Sequence, residues 1–362
     1  MKQSKWLWPI GIACIIVLAV GVWYWTSSRS AAVQTGSAPA VQLRLASWGG
    51  SLQDALDKDV IQPIARSVGV TAKVETYSGE YDRLAATIRN NTNPFDLVHV
   101  ETVFVKQGAA EKLTLPIDWS IVKRDDFVEG ATDDNAIGAL SWALVLAWNE
   151  DRLPKGAAPP KTWQDFFDLK RFPGPRCVRK TPESNLEFAL LADGVSPGAV
   201  YSGGLDVPRA LKKLETIKGS ITWWSSGAEL EQKLTSGCSL AAAWNGRVLN
   251  LKQTNHQPVA FTYEGAINQY DWWVVPANTK HRTEAMRFLA ALGSGVGADE
   301  IAQRFGYGPV AKKALEQLAP EVRATIPSAP ENLARGILFN SAWWFDNEKS
   351  ATDQWNKWLI QP

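Results

Sequence analysis

From residue 41 onward the chain alternates short apolar strands with helices entered through glycine or polar turns, and this restricts it to an α/β architecture,. Residues 41–48 alternate, with Leu43, Leu45 and Ser47 on one face, and run through Gly49-Gly50 into a helix over 52–67. Further strands are expected at 70–77, 95–100, 176–180, 221–224 and 239–244. Helices are expected at 81–89, 186–192, 208–218, 228–235 and 283–293,. The apolar stretches 139–149 and 269–276 would carry the chain between two such sets. The 322 residues beyond position 40 exceed what one core usually holds,. The expectation is a hinged two-lobe clamshell, with lobe 1 built from 41–145 and 276–362, lobe 2 from 146–275, and the hinge near 143–149 and 272–276. In open α/β sheets a ligand lies beyond the carboxyl ends of the strands, which puts Trp48, Tyr77 and Glu101 on one rim.

The first forty residues contain no carboxylate. Lys2 and Lys5 precede the mostly apolar run 6–25, which ends in Trp23-Tyr24-Trp25 with Arg29 beyond it. Two readings stay open: an export signal cut near Ala38-Pro39-Ala40, or a retained inner-membrane anchor at 6–25 followed by a leash to residue 40. Cys14 sits in mid-segment with Gly11 where a lipobox usually has Leu, which weakens a lipoprotein reading. Either open reading places the remainder outside the cytoplasm, in the periplasm. Without Lys2, Lys5 and Arg29 the formal net charge falls from +1 to −2, so the body offers no broad basic face for nucleic acid,.

Only Cys177 and Cys238 remain beyond residue 40. Each lies near the start of an expected strand of the second lobe. In a sheet of order 2-1-3 the first and third strands are neighbours, so the two can reach disulfide spacing, unless they point to opposite faces and stay as thiols.

Fourteen Trp fall beyond residue 40, among them Trp48, Trp223, Trp224, Trp244, Trp272 and Trp273 at expected strand ends. Aromatic faces combined with carboxylates suit a desolvated organic cation, and Glu101, Glu183 and Asp271 are the candidate acids. An anionic ligand would point instead to Arg179, Lys180 and Arg247. Enzyme chemistry has little support. His99, His256 and His281 lack metal-ligand spacing, and there is no Gly-x-Ser-x-Gly elbow or phosphate-binding Gly-Lys-Ser/Thr loop,. No cofactor or metal is expected.

Several of these segments, in this order, resemble one family. They are Ala46-Ser47-Trp48-Gly49-Gly50-Ser51, Asp96-Leu97-Val98 with Glu101, Thr162-Trp163 through Phe172-Pro173-Gly174, Trp244-Asn245-Gly246, Tyr270-Asp271-Trp272-Trp273-Val274-Val275-Pro276, and Tyr307-Gly308-Pro309-Val310. The chain from residue 41 is similar to the periplasmic solute-binding proteins of polyamine-type (spermidine/putrescine) ABC importers. The resemblance implies a type II periplasmic binding protein fold that closes on a ligand, acts as a monomer and delivers it to an inner-membrane ABC permease. It also implies that Trp244 stacks on a methylene chain, that Asp271 binds an amine, and that Glu183 or Glu187 supplies a further acid. Where the family has aromatic residues, this chain has Ser51, Val103 and Gln269, while Glu101 adds a carboxylate. An amine fits this set better than a standard polyamine does. The alternatives are a membrane-tethered sensor of the same fold, or a binder of another small solute.

Overall fold

The computed structural model describes residues 41–77 and 79–361. The expected signal or anchor at 1–40, including the segment 6–25, lies outside them. Among the described residues no helix is long and apolar enough to cross a membrane.

Among the described residues ten strands form one sheet: β1 (Gln42–Ser47), β2 (Thr71–Thr76), β3 (Leu97–Glu101), β4 (Thr132–Asp133), β5 (Ala136–Asn149), β6 (Arg176–Arg179), β7 (Ile221–Trp224), β8 (Leu240–Trp244), β9 (Val259–Val274) and β10 (Ile337–Leu338). The main order is β2-β1-β3-β9-β5-β8-β6-β7, with β10 beside β9 and β4 beside β5. Parallel triplets β2-β1-β3 and β8-β6-β7 form the two ends. Between them the long strands β5 and β9 run antiparallel to each other and connect both ends. Each parallel triplet needs helical crossovers, and these cover the sheet faces and bury near-continuous apolar strands such as Leu240-Ala241-Ala242-Ala243,.

Two principal apolar cores follow. The first gathers Leu43, Leu45, Leu97, Val98 and Phe104 with Leu140, Trp272 and Trp273. The second gathers Leu144, Trp163, Phe166, Phe188 and Leu240 with Ile267. The chain therefore crosses between cores at Leu140–Leu144 of β5 and Ile267–Tyr270 of β9, and a register shift in β5 falls at Leu144/Leu146. This lies upstream of the expected 272–276, because Trp272, Trp273 and Val274 are packed inside the first core.

The last segment also departs from expectation. Residues 276–362 do not all belong to the first core. The helix Ser341–Ile360 sets Trp344, Ala351, Trp355 and Trp358 into the second core, and it also approaches the helix Thr102–Ala110 of the first. The period of these buried residues explains the packing: three Trp and one Ala, at 344, 351, 355 and 358, recur at helical spacing and form one buried stripe,.

Cys177 and Cys238 are joined in a disulfide, with Cα atoms 5.7 Å apart. Cys177 lies in β6, which pairs with both β7 and β8, and Cys238 lies two residues ahead of β8.

Candidate functional site

The carboxyl ends of the strands bring side chains from both cores to one cleft. On the first core, Trp48 follows β1 and Tyr77 follows β2. Their rings stack with centroids 5.2 Å apart. Glu101 closes β3. Directly opposite it in antiparallel register lies Asp271 of β9, and two pairs back His99 faces Trp273. Residues two apart in a strand share a face, so His99, Glu101, Asp271 and Trp273 form one surface. His99 lies 4.8 Å from Trp273 and 5.6 Å from Trp48, centroid to centroid.

On the second core, Arg179 ends β6, Trp224 ends β7 and Trp244 ends β8. Trp244 meets Trp224 edge-on at 4.9 Å and carries the Arg179 guanidinium 5.0 Å above its ring. Glu183 lies in the loop after β6 and accepts a hydrogen bond from Thr181 Oγ1 at 3.0 Å. Trp142, at the crossing of β5, links the two sides. Its indole Nε1 donates to Asp271 Oδ1 at 2.9 Å, and its ring meets Trp244 edge-on at 6.3 Å. Gln269, at the crossing of β9, donates to Ser184 Oγ at 3.0 Å in the second lobe's loop.

The electrostatics of the cleft are set first by enclosure and then by crowding of like charge. Enclosure by protein, with Asp271 and Glu183 acting in the same direction and Arg179 opposing them, raises the Glu101 carboxyl to about 7. Glu101 is nevertheless open to solvent, so the site is a cleft and not a sealed core. One oxygen of Asp271 accepts from Trp142, and the other lies 3.4 Å from His99 Nε2 without a hydrogen bond between them. His99 Nδ1 in turn lies 3.1 Å from Ser47 Oγ. Ser47, His99 and Asp271 thus form a chain whose residue types match a nucleophilic triad. Ser47 is only 1 % exposed and His99 is fully buried, so no substrate reaches that hydroxyl. The directional contact that orients Asp271 is the one from Trp142.

The six sequence-derived ligand candidates, Trp48, Tyr77, Glu101, Glu183, Trp244 and Asp271, therefore occupy strand ends or the loops that follow them, apart from Asp271 within β9. Glu187, the alternative acid, does not join them. It is fully buried in the helix Asn185–Ala192, where Tyr201 Oη and Trp344 Nε1 donate to its Oε1 at 2.5 and 2.7 Å. Of the three cationic alternatives, only Arg179 is seen against a cleft aromatic. Arg247 pairs with Glu231 at 3.2 Å and Lys180 is exposed. Trp142 and His99 were not anticipated. Their positions were legible in principle, since His99 precedes Glu101 by two in one strand and Trp142 sits in the crossing run. A separate cavity of about 980 Å³, bordered by Glu129, Tyr201, Lys312, Arg323 and Leu338, contains none of the cleft carboxylates.

The sequence pattern of the bacterial extracellular solute-binding proteins matches residues 59–334. A γ-aminobutyric acid-binding protein of Pseudomonas aeruginosa is 29% identical over 329 residues, covering 90% of this chain and 92% of that protein. A solved ABC transporter substrate-binding protein from Bradyrhizobium japonicum USDA 110 superposes with a TM-score of 0.81 at 32% identity, covering 89% of this chain and 100% of that one. The spermidine/putrescine-binding periplasmic protein of Salmonella typhimurium is more distant, 21% identical over 276 residues, covering 73% of this chain and 77% of that protein. Fold, strand-end site and sequence agree: this chain belongs to the family of bacterial extracellular solute-binding proteins.

Proposed function

We propose that this protein is the periplasmic substrate-binding component of an ABC importer, and that its ligand is a short aliphatic amino carboxylate of the γ-aminobutyrate kind. The observation that carries the ligand assignment is the placement of Arg179 on the face of Trp244, in a cleft whose other side presents Asp271. A guanidinium offers paired N–H donors to a carboxylate. A carboxylate ringed by indoles offers Coulomb and cation–π stabilisation to an ammonium. A ligand with opposite charges at its two ends satisfies both.

A polyamine satisfies only one of them. The acids Glu101, Asp271 and Glu183 favour an amine, as the sequence resemblance implies. Yet the ring of Trp244, on which the methylene chain of a polyamine would lie, already carries a guanidinium, and an ammonium placed there meets a like charge,. The 29% identical relative is named for γ-aminobutyric acid, which agrees with the amino-carboxylate reading.

Calorimetric titration with 4-aminobutyrate and with putrescine tests this. The expected result is that 4-aminobutyrate binds at least tenfold tighter than putrescine, and that Arg179→Met abolishes the advantage. Tighter binding of putrescine by the unaltered protein would return the assignment to a polyamine.

A further inference from the structure

Glu101 stands directly across from Asp271 in the β3–β9 register. Opposed residues of an antiparallel pair bring their Cα atoms to about 4.5–5.5 Å and project their side chains to the same face. The two carboxylates are therefore neighbours. Their surroundings differ. Asp271 has Trp142 on one oxygen and faces buried His99 on the other. The Glu101 carboxylate has no hydrogen bond and no ion pair from any described side chain, and only its backbone N–H is engaged, by Tyr81 Oη at 2.8 Å. A single ammonium seated at Asp271 leaves this second charge unanswered. Arg179 acts on Glu101 only through space, and Glu183 faces it with the same sign.

A second observation points the same way. His99 is fully buried, its Nε2 is aimed at Asp271 and has no hydrogen-bond partner. The floor of the cleft is thus supplied with a polar group for one of the two acids and with none for the other. Even with Glu101 only partly ionised near neutral pH, three acids face one guanidinium, an acidic excess that a zwitterion, having no net charge, does not offset.

We propose that Glu101 is a specificity-determining residue that receives a second cationic group, so that the preferred ligands are amino carboxylates with two cationic centres and one carboxylate, the class of basic amino acids. This rests on the amino-carboxylate reading of the site and narrows it. In this arrangement the ligand carboxylate lies on Arg179, one cationic group lies against Asp271 among the indoles, and the other lies against Glu101.

The test is calorimetric titration of the unaltered protein and of Glu101→Gln with L-ornithine, L-lysine and 4-aminobutyrate. Ornithine or lysine is expected to bind at least tenfold tighter than 4-aminobutyrate. In Glu101→Gln the basic amino acid is expected to lose at least tenfold and 4-aminobutyrate less than threefold, so the ratio collapses. Equal or tighter binding of 4-aminobutyrate by the unaltered protein, or a ratio unchanged in Glu101→Gln, overturns the role of Glu101 and leaves the amino-carboxylate reading intact. Failure of all three ligands to bind overturns both.

Discussion

Trp142 donates its indole N–H to Asp271 while its ring abuts Trp244, so one side chain at the strand crossing ties the acid of the first core to the aromatic wall of the second. A hydrogen bond to a charged acceptor is worth about 1.5–3 kcal/mol and fixes the direction in which the second oxygen points. Trp142→Phe keeps the ring and removes the donor. The expected outcome is ligand affinity lowered about five- to twentyfold with little change in melting temperature, measured by calorimetry and thermal unfolding. Unaltered affinity would show that Asp271 needs no such tether.

Asp271 and Trp244 themselves are expected to dominate binding. Asp271→Asn removes the charge opposed to the ligand's cation, and Trp244→Ala removes the surface on which Arg179 rests. Each should weaken binding at least tenfold, about 1.4 kcal/mol or more, and neither should unfold the protein, since both side chains border the cleft. If both variants bind as the parent does, the ligand lies elsewhere.

The strand–helix alternation and the strand-end rule locate most of this cleft from sequence, because both follow from local periodicity. Trp48, Glu101 and Trp244 terminate strands whose apolar pattern is unambiguous. Features set by long-range register are less legible. The pairing of Glu101 with Asp271 spans 170 positions and depends on β9 running antiparallel to β3. The first ten residues of β9 escape the periodic reading because Glu264-Gly265 interrupts it, Gly265 having a φ of +69°. Glu187 illustrates the opposite error. Its four-residue spacing from Glu183 suggests a shared face, yet Ser184 adopts a left-handed conformation (φ 64°), so the helix starts after Glu183 and turns Glu187 into the core.

Glu187 makes stability depend on pH. Burial pushes its carboxyl up to about 7, against the hydrogen bonds from Tyr201 and Trp344, and Glu183 nearby adds to the rise. The folded state keeps this proton to about pH 7, whereas an unfolded glutamate releases it near 4.5. Between those values the folded state binds more protons, so stability falls as pH rises, by up to about 3 kcal/mol, and is flat above pH 7. Glu101 titrates in the same window with the same sign, so the comparison must be with Glu187→Gln. Glutamine retains the accepting oxygen. Urea unfolding between pH 5 and 8 is expected to show a shallower decline in Glu187→Gln than in the parent. Parallel curves would mean that Glu187 is ionised in the folded protein.

Closure on ligand is expected to bend the chain at Leu140–Leu144 and Ile267–Tyr270, where β5 and β9 pass from one core to the other. Contacts made only in the closed form shift the population toward it. Trp142 and Trp244 straddle the crossing, so intrinsic fluorescence should change on binding and the radius of gyration from X-ray scattering should fall. The Gln269–Ser184 hydrogen bond is made across the same crossing, and Gln269→Ala should reduce affinity without removing the fluorescence change. Identical scattering with and without saturating ligand would refute a hinged closure.

The disulfide between Cys177 and Cys238 is expected to serve stability and not binding. It joins the amino-terminal end of β6 to the residues leading into β8, while Arg179 and Trp244, which border the cleft, stand at the carboxyl ends of those strands. It closes a loop with a sequence separation of 61, for which chain entropy predicts stabilisation of about 4 kcal/mol,. Both Cys are fully buried in a small cluster with Trp224, Leu230 and Leu234, so a Cys177→Ala/Cys238→Ala double variant loses the cross-link and some packing. The melting temperature should drop by several degrees in that variant, and also after reduction of the parent. Ligand affinity, measured well below the lowered melting temperature, should stay within about twofold, because the loop after β6 remains anchored by Asn185, whose amide donates to the carbonyls of Arg179 and Thr181, and the helix start after β8 by Asn245, whose amide donates to the Gly306 carbonyl. A large loss of affinity with the fold intact would show that the bridge sets the spacing of Arg179 and Trp244 after all.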